Sequence, residues 1–152
     1  YLLAAEQGHA DAQTGLGVMY RKGLGVTQSY KTALYWYLLA AEQGHADAQA
    51  DLAVMYDEGL GVTQSYETAT KFYALAAEQG DVDAQINLSI IYYRERTVPL
   101  DYAYMWADIA ALSGNKSAVK LRGILAEEMG PARIEDAQKL VRECVRKQYK
   151  GC

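Results

Sequence analysis

The side chains best able to do chemistry are few and widely spaced. His9 and His45 are the only histidines. Imidazole is the usual general base and metal ligand near neutral pH. Each histidine is followed by Ala-Asp-Ala-Gln, so the two occupy equivalent positions near the start of a helix. Equivalent helices in a stack lie about 10 Å apart, too far for both rings to hold one metal ion. A role at the helix start is what the position indicates. Cys144 and Cys152 form no Cys-x-x-Cys pair and have no counterparts elsewhere. Neither a zinc site nor a disulfide framework is indicated. Asp57 and Glu58 are adjacent, so on a helix they point in different directions and make a poor acid–base pair. Gly23-Leu24-Gly25 recurs as Gly59-Leu60-Gly61, the mark of a repeated turn rather than a phosphate cradle. There is no nucleophile elbow. Trp36, Trp106 and the neighbouring tyrosines suit stacking on sugars or bases. At helical spacing beside alanines they read instead as core, each worth about 1.5–3 kcal/mol by burial. No catalysis, metal or cofactor is implied.

What recurs is a framework. Residues 37–72 read YLLAAEQGHADAQADLAVMYDEGLGVTQSYETATKF, and 27 of those 36 positions are identical in residues 1–36. The register continues forward in Ala76-Ala77-Glu78-Gln79-Gly80 and Asp83-Ala84-Gln85. A unit of this size cannot bury its own apolar face and must stack on its neighbours. Each unit reads as two helices, A and B. Helix A is clearest over 46–58, where Ala48, Leu52, Met55 and Tyr56 fall at spacings of three and four. Gly59 is placed as its stop, at positive φ, and Ser65 as the N-cap of the next helix. Helices B are expected over 30–43 and 66–79, with antiparallel neighbours forced by the short connections. A third helix A is expected over 82–94, where Asp81 is a better N-cap than His9 or His45. The third A–B connection departs from the pattern. It loses both glycines, is two residues shorter and contains Pro99, so a tighter loop is expected, with Asp101 capping a helix to about Ser113. Gly114-Asn115 opens another helix, and Gly130-Pro131 breaks it, with Pro131 at the first position of the last. The last helix carries the apolar stripe Ile134, Ala137, Val141, Cys144 and Val145, and reads as a cap.

Composition agrees with packed helices. Two prolines and one phenylalanine stand beside thirteen tyrosines, half the residues are hydrophobic, and the length is that of one domain. No apolar run approaches a membrane span, and a soluble protein is expected. Residues 1–114 carry 6 basic and 14 acidic side chains, whereas residues 115–152 carry 9 basic and 5 acidic. Two readings fit this asymmetry: a solvated acidic body with a basic last helix, or a bipolar surface that steers a partner. The acidic repeats argue against general nucleic-acid binding. The sequence opens at Tyr1 within an expected helix, as a fragment of a longer protein would. Leu2 and Leu3 then lack a neighbour, and self-association through that end is expected.

The run Ala-Glu-Gln-Gly-x-x-x-Ala-Gln-x-x-Leu-x-x-x-Tyr, then Gly-x-Gly-Val, then Tyr-x-x-Ala-x-x-Trp/Phe-Tyr resembles the Sel-one-like repeat (SLR), a relative of the tetratricopeptide repeat. The resemblance covers nearly the whole chain, and residues 101–146 resemble the usual ending of bacterial members. It implies an all-α, right-handed superhelical solenoid of helix pairs. The expected organisation is one domain over residues 1–152: a partial repeat at 1–9, repeats at 10–45, 46–81 and 82–115, and a final helix and cap at 116–152. It also implies a scaffold that binds another protein or peptide, in bacterial envelope, secretion, signalling or host-interaction settings. Alternatives are a peptidoglycan-associated enzyme or glycan binder, and a purely structural spacer. Cysteine-rich relatives linked to β-lactam or peptidoglycan chemistry carry disulfides within each repeat, and this chain has none there.

In the related fold, helices A line the concave side. Carried over, that face holds Arg21 and Lys22 in the first repeat, Asp51, Asp57 and Glu58 in the second, and Asn87, Tyr93 and Arg94 in the third. Nine positions differ between the first two repeats. Five lie on helix A, at residues 14, 15, 17, 21 and 22, and all but residue 17 fall on the proposed face. Selection for recognition and drift at exposed sites both produce this pattern. Arg21-Lys22 becomes Asp57-Glu58, so Lys22 and Glu58 are placed to pair across the stack, in an exposed contact worth about 0–1 kcal/mol. The other reading is a groove with a basic and an acidic end, suited to an extended or helical peptide.

Overall fold

All regular structure among residues 2–152, which the computed structural model describes, is helical. Tyr1, where the partial repeat is expected to begin, lies outside them. The helices are α1 (Leu2–Glu6), α2 (Ala10–Lys22), α3 (Tyr30–Glu42), α4 (Ala46–Glu58), α5 (Tyr66–Ala77), α6 (Val82–Glu95), α7 (Leu100–Ala111), α8 (Lys116–Met129) and α9 (Pro131–Arg146). The chain divides into two compact units, Tyr1–Ala76 and Ala77–Cys152.

Their boundaries have local causes. Gly23 and Gly59 stop α2 and α4 at φ 69° and 70°, the left-handed region that glycine enters without a Cβ penalty. In both loops a glutamine folds back on the helix just ended. Gln28 donates to the Arg21 carbonyl at 2.8 Å and Gln64 to the Asp57 carbonyl at 2.6 Å. Ser29 and Ser65 then accept from the amides of Thr32 and Thr68, both at 3.2 Å, as N-caps do. Capping at the starts of the first helices is graded as expected. Asp81 accepts from Ala84 at 2.7 Å, His45 accepts from Ala48 at 3.4 Å, and His9 makes no cap bond.

In the first unit, Tyr37 is the large filler among small residues. It is fully buried with Ala33, Ala40, Ala48, Leu52 and Met55. A second cluster joins Ala5, Ala12, Leu16 and Trp36, so both Trp36 and Tyr37 are core. Gly17 leaves room for the ring: a Cβ there would lie 2.5 Å from Tyr37 Cδ1. Gln13 and Gln49 are buried and donate to the Ala5 and Ala41 carbonyls at 3.0 and 3.3 Å. In the second unit Gln85 repeats the bond to Ala77 at 3.2 Å. The Ala-Gln of each repeat thus ties helix A to the end of the helix before it, satisfying carbonyls that a helix end leaves open.

In the second unit α7 packs Leu100, Ala103, Tyr104 and Ala107 against Leu125 of α8 and Ala137 of α9. Trp106 is buried there. Two expectations are corrected here. Asp101 is not a cap, because Pro99 holds the N-cap position of α7 and places Asp101 in its first turn. Asp101 instead takes two guanidinium nitrogens of Arg133 on α9, the shorter contact at 2.9 Å. Cys144 and Cys152 do form a disulfide, with their Cα atoms 5.6 Å apart. The chain reverses after α9, which brings together cysteines that spacing alone does not pair. The stripe on α9 buries Ala137, Val141 and Cys144, while Val145 stays 40% exposed.

Candidate functional site

The residues proposed for a binding face divide into those already engaged and those open to solvent. In the first unit Arg21 and Asp51 meet across α2 and α4 at 3.3 Å. Arg21 Nε also donates to the Tyr37 hydroxyl at 3.3 Å. Burial pushes the Asp51 carboxyl up, the Arg21 charge pulling the other way without cancelling it. Burial likewise pushes the Tyr37 phenol up. Burial disfavours the Arg21 charge, but its bond to Tyr37 and the Asp51 carboxylate outweigh that and leave its pKa raised. The ion pair across this stack is therefore Arg21–Asp51, not the expected Lys22–Glu58. Lys22 and Glu58 are exposed, and Asp57 is half-buried.

His45 has a role that sequence reading missed. Its Nε2 lies 2.8 Å from Asp11 Oδ1, and its Nδ1 lies 3.3 Å from Thr14 Oγ1 and accepts from Ala48 N. An Nδ1 that accepts leaves Nε2 to donate, so the ring caps α4 while donating to Asp11 of α2 and lying against Thr14, whose hydroxyl donates to the Ala10 carbonyl at 2.9 Å. The signal was the Thr14-to-Ala50 difference between repeats, read from sequence as variation on an open face. Thr14 is in fact buried.

In the second unit Tyr93 sits under a cation: the Arg96 guanidinium carbon is 4.5 Å from the ring centroid. Arg96 also meets Glu128 of α8 at 2.8 Å. Tyr93 hydrogen-bonds Glu128 as well, which raises the phenol's pKa and lowers the carboxyl's, Arg96 contributing first to the latter. Arg94 is exposed and lies 2.8 Å from the adjacent Glu95, and Asn87 is half-buried. The acidic groups here answer basic ones as ion pairs. Among the described residues no cluster of three or more metal-ligating side chains occurs. None of the described helices is long and apolar enough to cross a membrane.

Paired helices, small-residue seams and a recurring glutamine tie define a helix-pair repeat protein. The Sel1 repeat family model matches residues 10–45, 46–81 and 82–115, well over half of the sequence. The chain belongs to the Sel1 repeat family. Proteins of this family are generally scaffolds for protein interaction rather than enzymes. Among solved structures it is similar to c5321, a protective antigen of uropathogenic Escherichia coli strains displaying an SLR fold. That match has 30% identity and a TM-score of 0.86, covering 95% of this chain and 32% of that one. It is also similar to a Sel1 repeat protein from Oxalobacter formigenes, with 37% identity and a TM-score of 0.72, covering 78% of this chain and 49% of that one. The chain thus spans about a third and about half the length of these two relatives. No curated protein matches it.

Proposed function

We propose that residues 1–152 act as one non-catalytic binding domain, taking an extended or helical segment of another protein on the face of the first helix of each repeat that the family resemblance makes concave. One observation carries this reading. The first two repeats are nearly identical, yet Lys22 is exchanged for Glu58, and both side chains are exposed. Other helix-A differences have internal reasons: Thr14 meets His45, Asp51 meets Arg21, and Gly17 admits Tyr37. Lys22 and Glu58 add their charges to the Arg21–Asp51 pair from its exposed side, and opposite charges in register select the direction of a bound segment. Asp57, Asn87, Tyr93 and Arg94 complete the proposed face, with Arg21 and Asp51 as its fixed floor.

The test is capture of partners from the source cell by the wild-type chain and by a Lys22→Glu/Glu58→Lys/Arg94→Glu triple variant. Arg21 is left intact because its contacts are internal. Loss of a specific partner with an unchanged melting temperature supports the reading. Equal capture by both overturns it, and retention on insoluble peptidoglycan favours a glycan binder.

A further inference from the structure

The chain that follows α9 is held in a conformation it would not choose alone. Gln148 and Tyr149 both adopt positive φ, 53° and 68°. Side chains with a Cβ avoid this region unless the surroundings impose it. Three non-covalent contacts and one covalent bond restrain the turn. Tyr149 N donates to the Cys144 carbonyl at 2.9 Å. Gly151 N donates to Glu78 Oε1 at 3.1 Å, in the turn that precedes α6. The Tyr149 ring lies over Gly80 in the same turn, 3.8 Å from where a Cβ would stand. The covalent restraint is the Cys144–Cys152 disulfide, which closes the turn back onto the last helix.

The disulfide is also one wall of a cavity of about 150 Å³, lined by Tyr102 and Met105 of α7, Leu140 and Cys144 of α9, and by Gly151 and Cys152. Cys144 is 2% exposed, whereas Cys152 is half-buried. The two sulfurs therefore differ in access to a thiol from solution.

We propose that the Cys144–Cys152 disulfide is a redox latch: it holds residues 147–152 against the Glu78–Gly80 turn, and its reduction releases this segment and opens the cavity beside Tyr102, Met105 and Leu140. The reductant is a dithiol. One of its thiolates attacks Cys152 Sγ, the accessible sulfur. The Cys144–Cys152 bond breaks, and its electron pair leaves on Cys144 Sγ, which takes a proton from water. The second thiolate of the reductant then displaces Cys152 from the mixed disulfide. The protein gains two electrons and two protons, and the dithiol becomes a cyclic disulfide. With the covalent restraint gone, Gln148 and Tyr149 relax to negative φ. The Gly151–Glu78 bond and the Tyr149–Gly80 contact are then lost together.

The experiment uses the whole chain, air-oxidised and then divided, one half treated with dithiothreitol. Thiol alkylation read by intact mass is expected to add two groups only after reduction. Tryptic cleavage after Lys147, scored by mass after full reduction of quenched samples, is expected to be at least five-fold faster in the reduced half. Amide exchange in α6 to α8 should stay unchanged. Cys152→Ser should cleave at the reduced rate and ignore dithiothreitol. Equal cleavage in both halves, a protected Cys152→Ser chain, or two alkylations without reductant would each overturn the latch. Loss of protection throughout α6 to α8 would overturn it too, because the disulfide would then be holding the whole unit rather than one segment.

Discussion

Two glycines inside helices place opposite demands on their surroundings. Gly17 faces the buried Tyr37 ring, and a Cβ there would stand 2.5 Å from it. That ring cannot slide away without stretching the 3.3 Å bond from Arg21 to its hydroxyl. Gly123, within α8, has nothing within 4 Å of the same imagined atom. Alanine gains about 1 kcal/mol over glycine in a helix, while overpacking a core costs about 1–3 kcal/mol. Gly17→Ala should therefore lower stability by about 1 kcal/mol, and Gly123→Ala should raise it by about 1 kcal/mol. Urea midpoints measure both, and shifts of the same sign would contradict the packing argument. The sequence reads Gly17 only as one of nine differences between repeats, because the ring it faces lies twenty residues away, on the other helix of its pair. The contacts of Thr14 with His45 and of Arg21 with Asp51 are hidden for the same reason. A side chain used to fasten one repeat to the next looks, in the sequence, like one turned to solvent.

At the scale of elements, the helices and their stops were legible almost throughout. Period, capping serines and left-handed glycines are local signals, and each repeat states them again. Three things were not. The Ala-Gln pair was recognisable as a motif, but its reason is a bond between two helices. Gln49→Leu keeps the volume and loses the donor to the Ala41 carbonyl, so it should cost about 1 kcal/mol in chemical denaturation. The disulfide was hidden because it depends on a reversal made by Gln148 and Tyr149, residues with no turn signature. Asp101 looked like a cap and proved to be a partner of Arg133. That bond is the first cause of its lowered pKa, burial opposing it. A carboxyl lowered on folding stabilises the fold above its unfolded pKa, and the contribution is lost as pH falls through the folded one. Arg133 is about half exposed, so the pair is worth only about 0.5–1 kcal/mol. Arg133→Ala should lower stability by that amount near neutral pH and have no effect under acid conditions that protonate Asp101. An equal loss at both would mean that Arg133 acts through packing instead.

At the scale of the whole molecule, the expectation open to test is self-association through α1. Leu2 and Leu3 on α1 are 53% and 69% exposed, two large apolar side chains side by side. The start of α2 beside them also has no side-chain cap bond. His9 has the same flanking sequence as His45, yet His45 caps its helix and reaches Asp11 and Thr14 on the preceding helix A. Exposed apolar surface and an uncapped helix start together favour burial against a protein face, here that of a second copy. Apparent mass in light scattering should therefore rise with concentration toward a dimer. Leu2→Lys/Leu3→Lys should weaken that association at least ten-fold, since it removes the apolar contact and sets like charges against each other across a two-fold interface. The contacts within α2 to α5 lie elsewhere, so the melting temperature of the dilute variant should match that of the wild type. A wild-type chain that stays monomeric across the concentration range would show that the leucines meet only water, and would remove this face from the list of interaction surfaces.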